Sequence, residues 1–234
     1  ISDIWSKRPS LPKEKVFIHD IKYSGKNTKE KLEIVREKMN KENVDYYIMS
    51  SLDDIAWIFN IRGRDIPCNP VAISYAIVSM KSATLFIDNE KIDIEVRKTL
   101  NESGVDIKDY EEIECALKCL YSKSRIYLDP SKTSIWIYEA ISKDCTIVEG
   151  EDIVMNLKAI KNSTEIENFK KCQVRDGVAM VRFLYWLDSN IGKETLTEIS
   201  VSEKLEEFRK MGESFIELSF ETIAGYKHHG AIVH

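Results

Sequence analysis

The sequence predicts an α/β fold, a mixed sheet flanked by helices, followed by the start of a second region of α+β type. Three observations predict it. Across roughly the first 150 positions, short apolar runs alternate with amphipathic stretches of about ten residues, the pattern of strands interleaved with covering helices. Beyond position 157 the periodicity changes to one long helix, a second helix and then alternating residues. The 234 residues are 43% apolar and 31% charged, enough for one large domain or two small ones with a true core.

The elements follow in order. Residues 1–27 carry Pro9 and Pro12 around Lys13, Glu14 and Lys15 and read as a linker. From Thr28, Leu32, Val35 and Met39 share a helical face, and 44–50 reads as a buried strand. The pattern then predicts a helix at 53–59, strands at 72–79 and 84–87, helices at 91–100 and 111–120, a strand at 125–128, a helix at 134–141 and a strand at 145–148. Thr164 to Glu167 reads as a capping box opening a helix to about Ser189, with Ile166, Phe169, Met180, Leu184 and Leu187 at helical spacing. A helix at 200–211, carrying Val201, Leu205 and Phe208, precedes strand signals at 215–223 and 231–234. The expected organisation is a linker at 1–27, an α/β domain at 28–156 and part of a further domain at 157–234.

Composition excludes several functions. With 34 Lys+Arg against 39 Asp+Glu the net charge is −5, which offers no field for nucleic acid or an anionic membrane. Apolar runs fall far short of the ~18 residues of a spanning helix, and no basic-then-apolar leader opens the chain. Cys68, Cys115, Cys119, Cys145 and Cys172 show neither zinc-ligand spacing nor a paired framework, so they read as reduced, mostly buried thiols of a cytoplasmic protein. The chain opens without Met and closes on an apolar strand signal, the expected look of a segment of something longer.

Some residue groups invite chemistry. Asp53 and Asp54 are adjacent carboxylates suited to acid/base work, or Asp53 caps a helix while Arg62, Arg64 and Asp65 lie on a solvated loop. His228, His229 and His234 cluster at the end, but neighbours on an extended chain point apart and no carboxylates accompany them, so no complete metal site is expected here. His234 closes a run of small and apolar residues in which an imidazole needs a partner, which makes it a functional candidate. Trp57, Trp136 and Trp186 read as core. Cys115 and Cys119, one helical turn apart, could bridge or bind metal, or be two core thiols. Glu198 and Glu203 to Glu207 read as a solvated face.

Several stretches together carry a resemblance: Ile4-Trp5 through Pro9, Leu52-Asp53-Asp54-Ile55-Ala56-Trp57, Asn60-Ile61-Arg62-Gly63, Asn69-Pro70, Lys161-Asn162-Ser163-Thr164-Glu165-Ile166, Leu218 to Gly225 and His229-Gly230-Ala231-Ile232-Val233-His234. In this order they resemble the long, cytosolic-type Xaa-Pro aminopeptidases (aminopeptidase P) of the creatinase/methionine-aminopeptidase superfamily. The resemblance implies a creatinase N-terminal-like sheet domain at 28–156, preceded by the exit linker of a missing domain and followed by the truncated start of a pita-bread metallopeptidase domain. It implies two divalent ions, Mn²⁺ by family habit, held by two Asp, one His and two Glu beyond position 234, so that the segment itself holds no metal ligand and shows no turnover.

By resemblance His234 is a catalytic and substrate-binding residue that hydrogen-bonds the substrate or its tetrahedral intermediate, and Phe220 is a substrate-binding aromatic beside the metals. His229 stands where many members have Asn and takes no role. The implied partners are short peptides with proline second and a second copy of the chain, with the loop at 62–69 approaching the partner's site opening. Neither nucleic acid nor membrane is implied. The alternative reading is a non-catalytic creatinase-like or pita-bread binding module; creatinase or dipeptidase specificity fits these stretches less well.

Overall fold

The structure, a computed structural model, describes residues 4–231. It divides into two compact units, residues 1–161 and 162–234. The division falls a few residues after the expected boundary at 156, because the helix at Ile153–Ala159 packs on the first unit.

The first unit holds a six-stranded sheet. In chain order its elements are β1 (Phe17–Ile18), α1 (Ile21–Ser24), α2 (Thr28–Lys41), β2 (Tyr46–Met49), α3 (Leu52–Ile58), β3 (Ile61–Arg62), β4 (Ser74–Ser79), β5 (Ala83–Ile87), α4 (Ile94–Glu102), β6 (Val105–Lys108), α5 (Ile113–Lys118), β7 (Arg125–Leu128), α6 (Ile135–Ala140), β8 (Thr146–Glu149) and α7 (Ile153–Ala159). The strand order is β6-β5-β4-β2-β7-β8, with β4 antiparallel to both neighbours and the other pairings parallel. The carboxyl ends of β2, β5, β6, β7 and β8 therefore lie along one edge of the sheet.

Strand alternation builds two cores. Tyr47 and Met49, Ala76 and Val78, Leu85 and Ile87, Val105 and Tyr127 point to one face, under Leu32, Val35 and Met39 of α2, Ile55 of α3, Val96 and Leu100 of α4 and Val154 of α7. Ile48, Ile77, Phe86, Ile126 and Leu128 point to the other, under Ile113 and Leu117 of α5 and Ile137 of α6. Helices on both faces explain why the central strands read as apolar runs. Each buried Leu or Ile contributes about 1.5–3 kcal/mol.

Helix starts are set by side chains. Asn27 and Glu30 form a capping box on α2, and Asp93, Ser134 and Asp152 cap α4, α6 and α7 through the backbone N–H three residues on.

Several expectations need correction. Residues 17–24, read as linker, form β1 and α1, and Val16 is buried in the core, because β1 pairs with β3. The strand β6 escaped the sequence reading because it is an edge strand in which Asp106 and Lys108 face solvent. The thiols are not buried: Cys115, Cys119 and Cys172 are exposed and Cys68 and Cys145 half-buried. Trp136 is likewise 44% exposed.

The second unit contains α8 (Ser163–Asn190) and α9 (Glu198–Lys210), which pack together, with Ala179 and Phe183 of α8 and Leu205 of α9 buried. The box that opens α8 lies two residues earlier than expected: Asn162 accepts from the Glu165 N–H while the Glu165 carboxylate accepts from the Asn162 N–H. The strand expected at 215–223 is absent. No strand among the described residues of this unit offers it an edge, and unpaired alternation does not hold an extended chain. Residues 227–231 form a 3₁₀ turn, so Ala231 is not in a strand, and 232–234 lie outside the described residues.

Candidate functional site

Three groups of polar side chains deserve chemical scrutiny, two in the first unit and one in the second. The first lies at the carboxyl edge of the sheet. Asp53 and Asp54 open α3 after β2, Asp129 and Lys132 follow β7, and Asp152 and Lys158 belong to the segment after β8. Asp54 is fully buried; its Oδ2 accepts from Lys132 Nζ at 2.9 Å and its Oδ1 lies 2.7 Å from Lys158 Nζ. Lys158 also binds Asp53. Asp129 accepts from the Ser131 N–H and hydroxyl through one oxygen and from the Asp152 N–H through the other.

Burial pushes the Asp53 carboxyl up, but the hydrogen bond and charge of Lys158 more than offset this and leave it below the usual range. Burial also lowers the Lys132 ammonium, and Asp54 overrides it upward. Asp152, desolvated and beside Asp54, is pushed up despite its hydrogen bond to the Met155 N–H. A general acid or base must touch its substrate. Asp54 has no exposed surface and meets two lysines, so the adjacent carboxylates seen in the sequence are a structural tie between α3, α7 and the loop after β7. Asp53 is not the helix cap either; Ser51 occupies that position.

The second group is the loop after β3. Asp65 is not solvated as expected: its side chain is wholly buried, with Oδ2 accepting from Lys91 Nζ at 2.5 Å and from the Ile73 N–H at 2.6 Å. Arg62 Nη1 donates to the carbonyls of Ala56 and Ile61, and Lys31 Nζ to Trp57 O and Asn60 Oδ1 while lying 4.1 Å from the Trp57 ring. Cations thus cover the carbonyl end of α3, where the helix dipole favours them. Gly63 is required here, since a Cβ would sit 2.8 Å from Val71 O. The loop base is rigidly tied, and Arg64 and Ile66 are presented at the surface. His19 sits close by, 5.7 Å from the Tyr23 ring in a stack; burial and the charges of Arg62 and Lys31 push it down to about 4.

The third group is in the second unit. Phe220 is 65% exposed and lines a cavity of about 400 Å³ with Asp176, Arg209 and Glu217. Arg209 Nε lies 2.7 Å from Asp176 Oδ1. Glu198 is not simply solvated: it accepts from the Tyr226 N–H at 2.7 Å and lies 2.9 Å from His229 Nδ1, and these bonds hold its carboxyl below the usual range. His229 in turn meets the His228 ring edge-on at 4.3 Å. His234, the expected catalytic residue, lies outside the described residues, so the structure does not bring it together with Phe220. No group of three or more His, Cys, Asp or Glu among the described residues could hold a metal ion, and no described helix is long and apolar enough to cross a membrane.

Lys91 escaped the sequence reading and Asp65 was read as solvated because both stand among other charges and nothing local marks them as inward. The faint signal was Gly63 two residues before Asp65, a mark of close backbone approach.

Comparison with known proteins places these features. Residues 7–165 match the creatinase/prolidase N-terminal domain. A protein of Neurospora crassa named probable Xaa-Pro aminopeptidase P is 37% identical over 99% of this chain, and Xaa-Pro aminopeptidase 1 of Dictyostelium discoideum 38% identical over 97%. The crystal structure of X-prolyl aminopeptidase from Caenorhabditis elegans, described as a cytosolic enzyme with a di-nuclear active site, superposes with a TM-score of 0.87 and 33% identity over 95% of this chain. The chain spans 36% of the length of each of these curated relatives and 37% of the solved one. With the mixed sheet, the stapled loop after β3 and a domain match across most of its length, the chain belongs to the creatinase/prolidase N-terminal domain family.

Proposed function

We propose that this chain is the second N-terminal module and the opening of the catalytic domain of a metal-dependent Xaa-Pro aminopeptidase, which releases the first residue of peptides carrying proline second. The reading rests above all on the 0.87 superposition over 95% of the chain with an X-prolyl aminopeptidase. The names of the similar proteins favour it over a non-catalytic binding module. On this proposal 28–156 is the creatinase-like module, 157–234 the first part of a pita-bread domain, and the protein a cytoplasmic homodimer acting on short peptides.

The described residues do not fit a dinuclear centre, since no three ligating side chains converge. Two ions, Mn²⁺ by family habit, would be held by residues beyond this chain. What this chain would supply is substrate recognition. His234 would donate a hydrogen bond to the developing oxyanion, an interaction of about 3 kcal/mol in comparable sites. Phe220 would be a substrate-binding aromatic beside the ions, and the loop at 62–69 would approach the partner's site opening.

The test is release of arginine from Arg-Pro-Pro by the full-length protein, with Arg-Ala-Pro as control, before and after chelation and Mn²⁺ addition. Metal-dependent release from the first peptide alone is expected; no release with any divalent ion would reject the assignment. His234→Ala should lower kcat tens-fold with metal content unchanged, and an unaltered kcat would remove its role.

A further inference from the structure

We propose that Cys115 and Cys119 form a surface dithiolate site for a soft, thiophilic cation of the Cu(I) class, independent of the peptidase reading. Helix α5 turns Ile113 and Leu117 into the core, so positions one turn apart on its outer side, Cys115 and Cys119, both face solvent. Their sulfurs lie 4.0 Å apart. The Cys119 N–H donates to the Cys115 carbonyl at 3.0 Å, which holds the second thiol in register at the end of the helix.

Geometry selects the ligand. Metal–thiolate bonds of about 2.3 Å to sulfurs 4.0 Å apart subtend an angle of about 120° at the ion. That is the angle of a trigonal centre, with two protein sulfurs and one open position. Among the described residues no third His, Cys, Asp or Glu joins the pair. The third donor would therefore be an exogenous thiol such as glutathione. Zinc, which demands four donors in structural sites, would still be one donor short with that third thiol in place, whereas three thiolates complete a trigonal Cu(I) centre. Binding, with the exogenous thiol included, breaks three S–H bonds, forms three sulfur–metal bonds and releases three protons; the oxidation state of the metal does not change.

The test is anaerobic competition of the full-length protein for Cu(I) against a chromophoric chelator, in the presence of glutathione. The parent should bind one equivalent more than C115S or C119S, each of which should lose at least tenfold in apparent affinity at that site. C172S, which removes a single exposed thiol, should match the parent. X-ray absorption of the loaded protein should show sulfur neighbours only, and a tenfold excess of Zn²⁺ should not displace the ion. Equal stoichiometry in C115S and the parent, nitrogen or oxygen neighbours, or displacement by zinc would each overturn the proposal. Because both side chains are exposed, unchanged thermal melting of the variants separates loss of the site from loss of the fold.

Discussion

In the first unit Asp54, Asp65 and Asp152 lie inside the protein, and the first two meet lysines brought from distant elements. In the second unit no described Asp or Glu is a buried residue, while Val174, Val178, Val181 and Tyr185, one stripe of α8 at spacings of three and four, stand 46–76% exposed. Buried ions survive only where the surrounding structure is already complete, because each must be held against a desolvation cost of several kcal/mol. The first unit meets that condition. Among its described apolar residues the second buries only Ala179, Phe183 and Leu205, so its two helices lack the enclosed core on which independent stability depends.

The strongest way to break this contrast is to separate the units. Residues 1–161 alone should unfold in urea in a single cooperative transition, and residues 162–234 alone should show none; a sharp transition in the second piece would erase the difference. Next in size is the buried pair. Lys91→Met strands the Asp65 carboxylate in the core and should cost about 3–5 kcal/mol by denaturant titration, with much of it recovered in the double variant Lys91→Met/Asp65→Leu. If the single variant cost under 1 kcal/mol, the pair would not be holding the loop.

A smaller effect concerns His19. Its folded value of about 4 lies below the ordinary 6.5, so the fold favours the neutral ring. The unfolded chain then binds more protons, and the stability from this group is complete above pH 6.5 and lost as pH falls from 6.5 toward 4. Discounted for its partial exposure, the loss should be about 2 kcal/mol, and His19→Gln should flatten that part of the pH profile. An unchanged slope would exclude His19 as its source. The smallest effect is expected in the second unit, where Arg209→Met, which removes the partly exposed pair with Asp176, should cost at most about 1 kcal/mol. A cost near that of Lys91→Met would show that the two units hold their charges alike.

The same contrast governs what could be read from sequence. Period-2 and period-3.6 patterns located α2, β2, β5 and β7 to within a few residues, because their apolar faces are satisfied inside the two cores of the first unit. They failed for 215–223, where alternation is present but a pairing edge is not, and for β6, where an edge position allows Asp106 and Lys108. The charged residues were the least legible. Asp54 differs from Asp53, and Asp65 from Arg64, only in which way a backbone already fixed by other residues turns them, and the partners Lys132, Lys158 and Lys91 lie 26 to more than 100 positions away. Of the two expected site residues, Phe220 lies in a cavity of the second unit and His234 falls outside the described residues.

The antiparallel placement of β4 has a consequence for the order of assembly. It gives the sheet one neighbouring pair joined by a tight connection, Val78 facing Ala83, with the Ser79 hydroxyl accepting from the Lys81 and Ser82 amides at the bend. Pairing β2 with β7 instead waits for a crossover of some 80 positions. A hairpin closes within about 1–10 μs, whereas non-local pairing carries the entropy of a long loop. Substitutions at Val78 and Leu85 should therefore slow refolding in proportion to the stability they remove, while those at Ile126 should chiefly hasten unfolding.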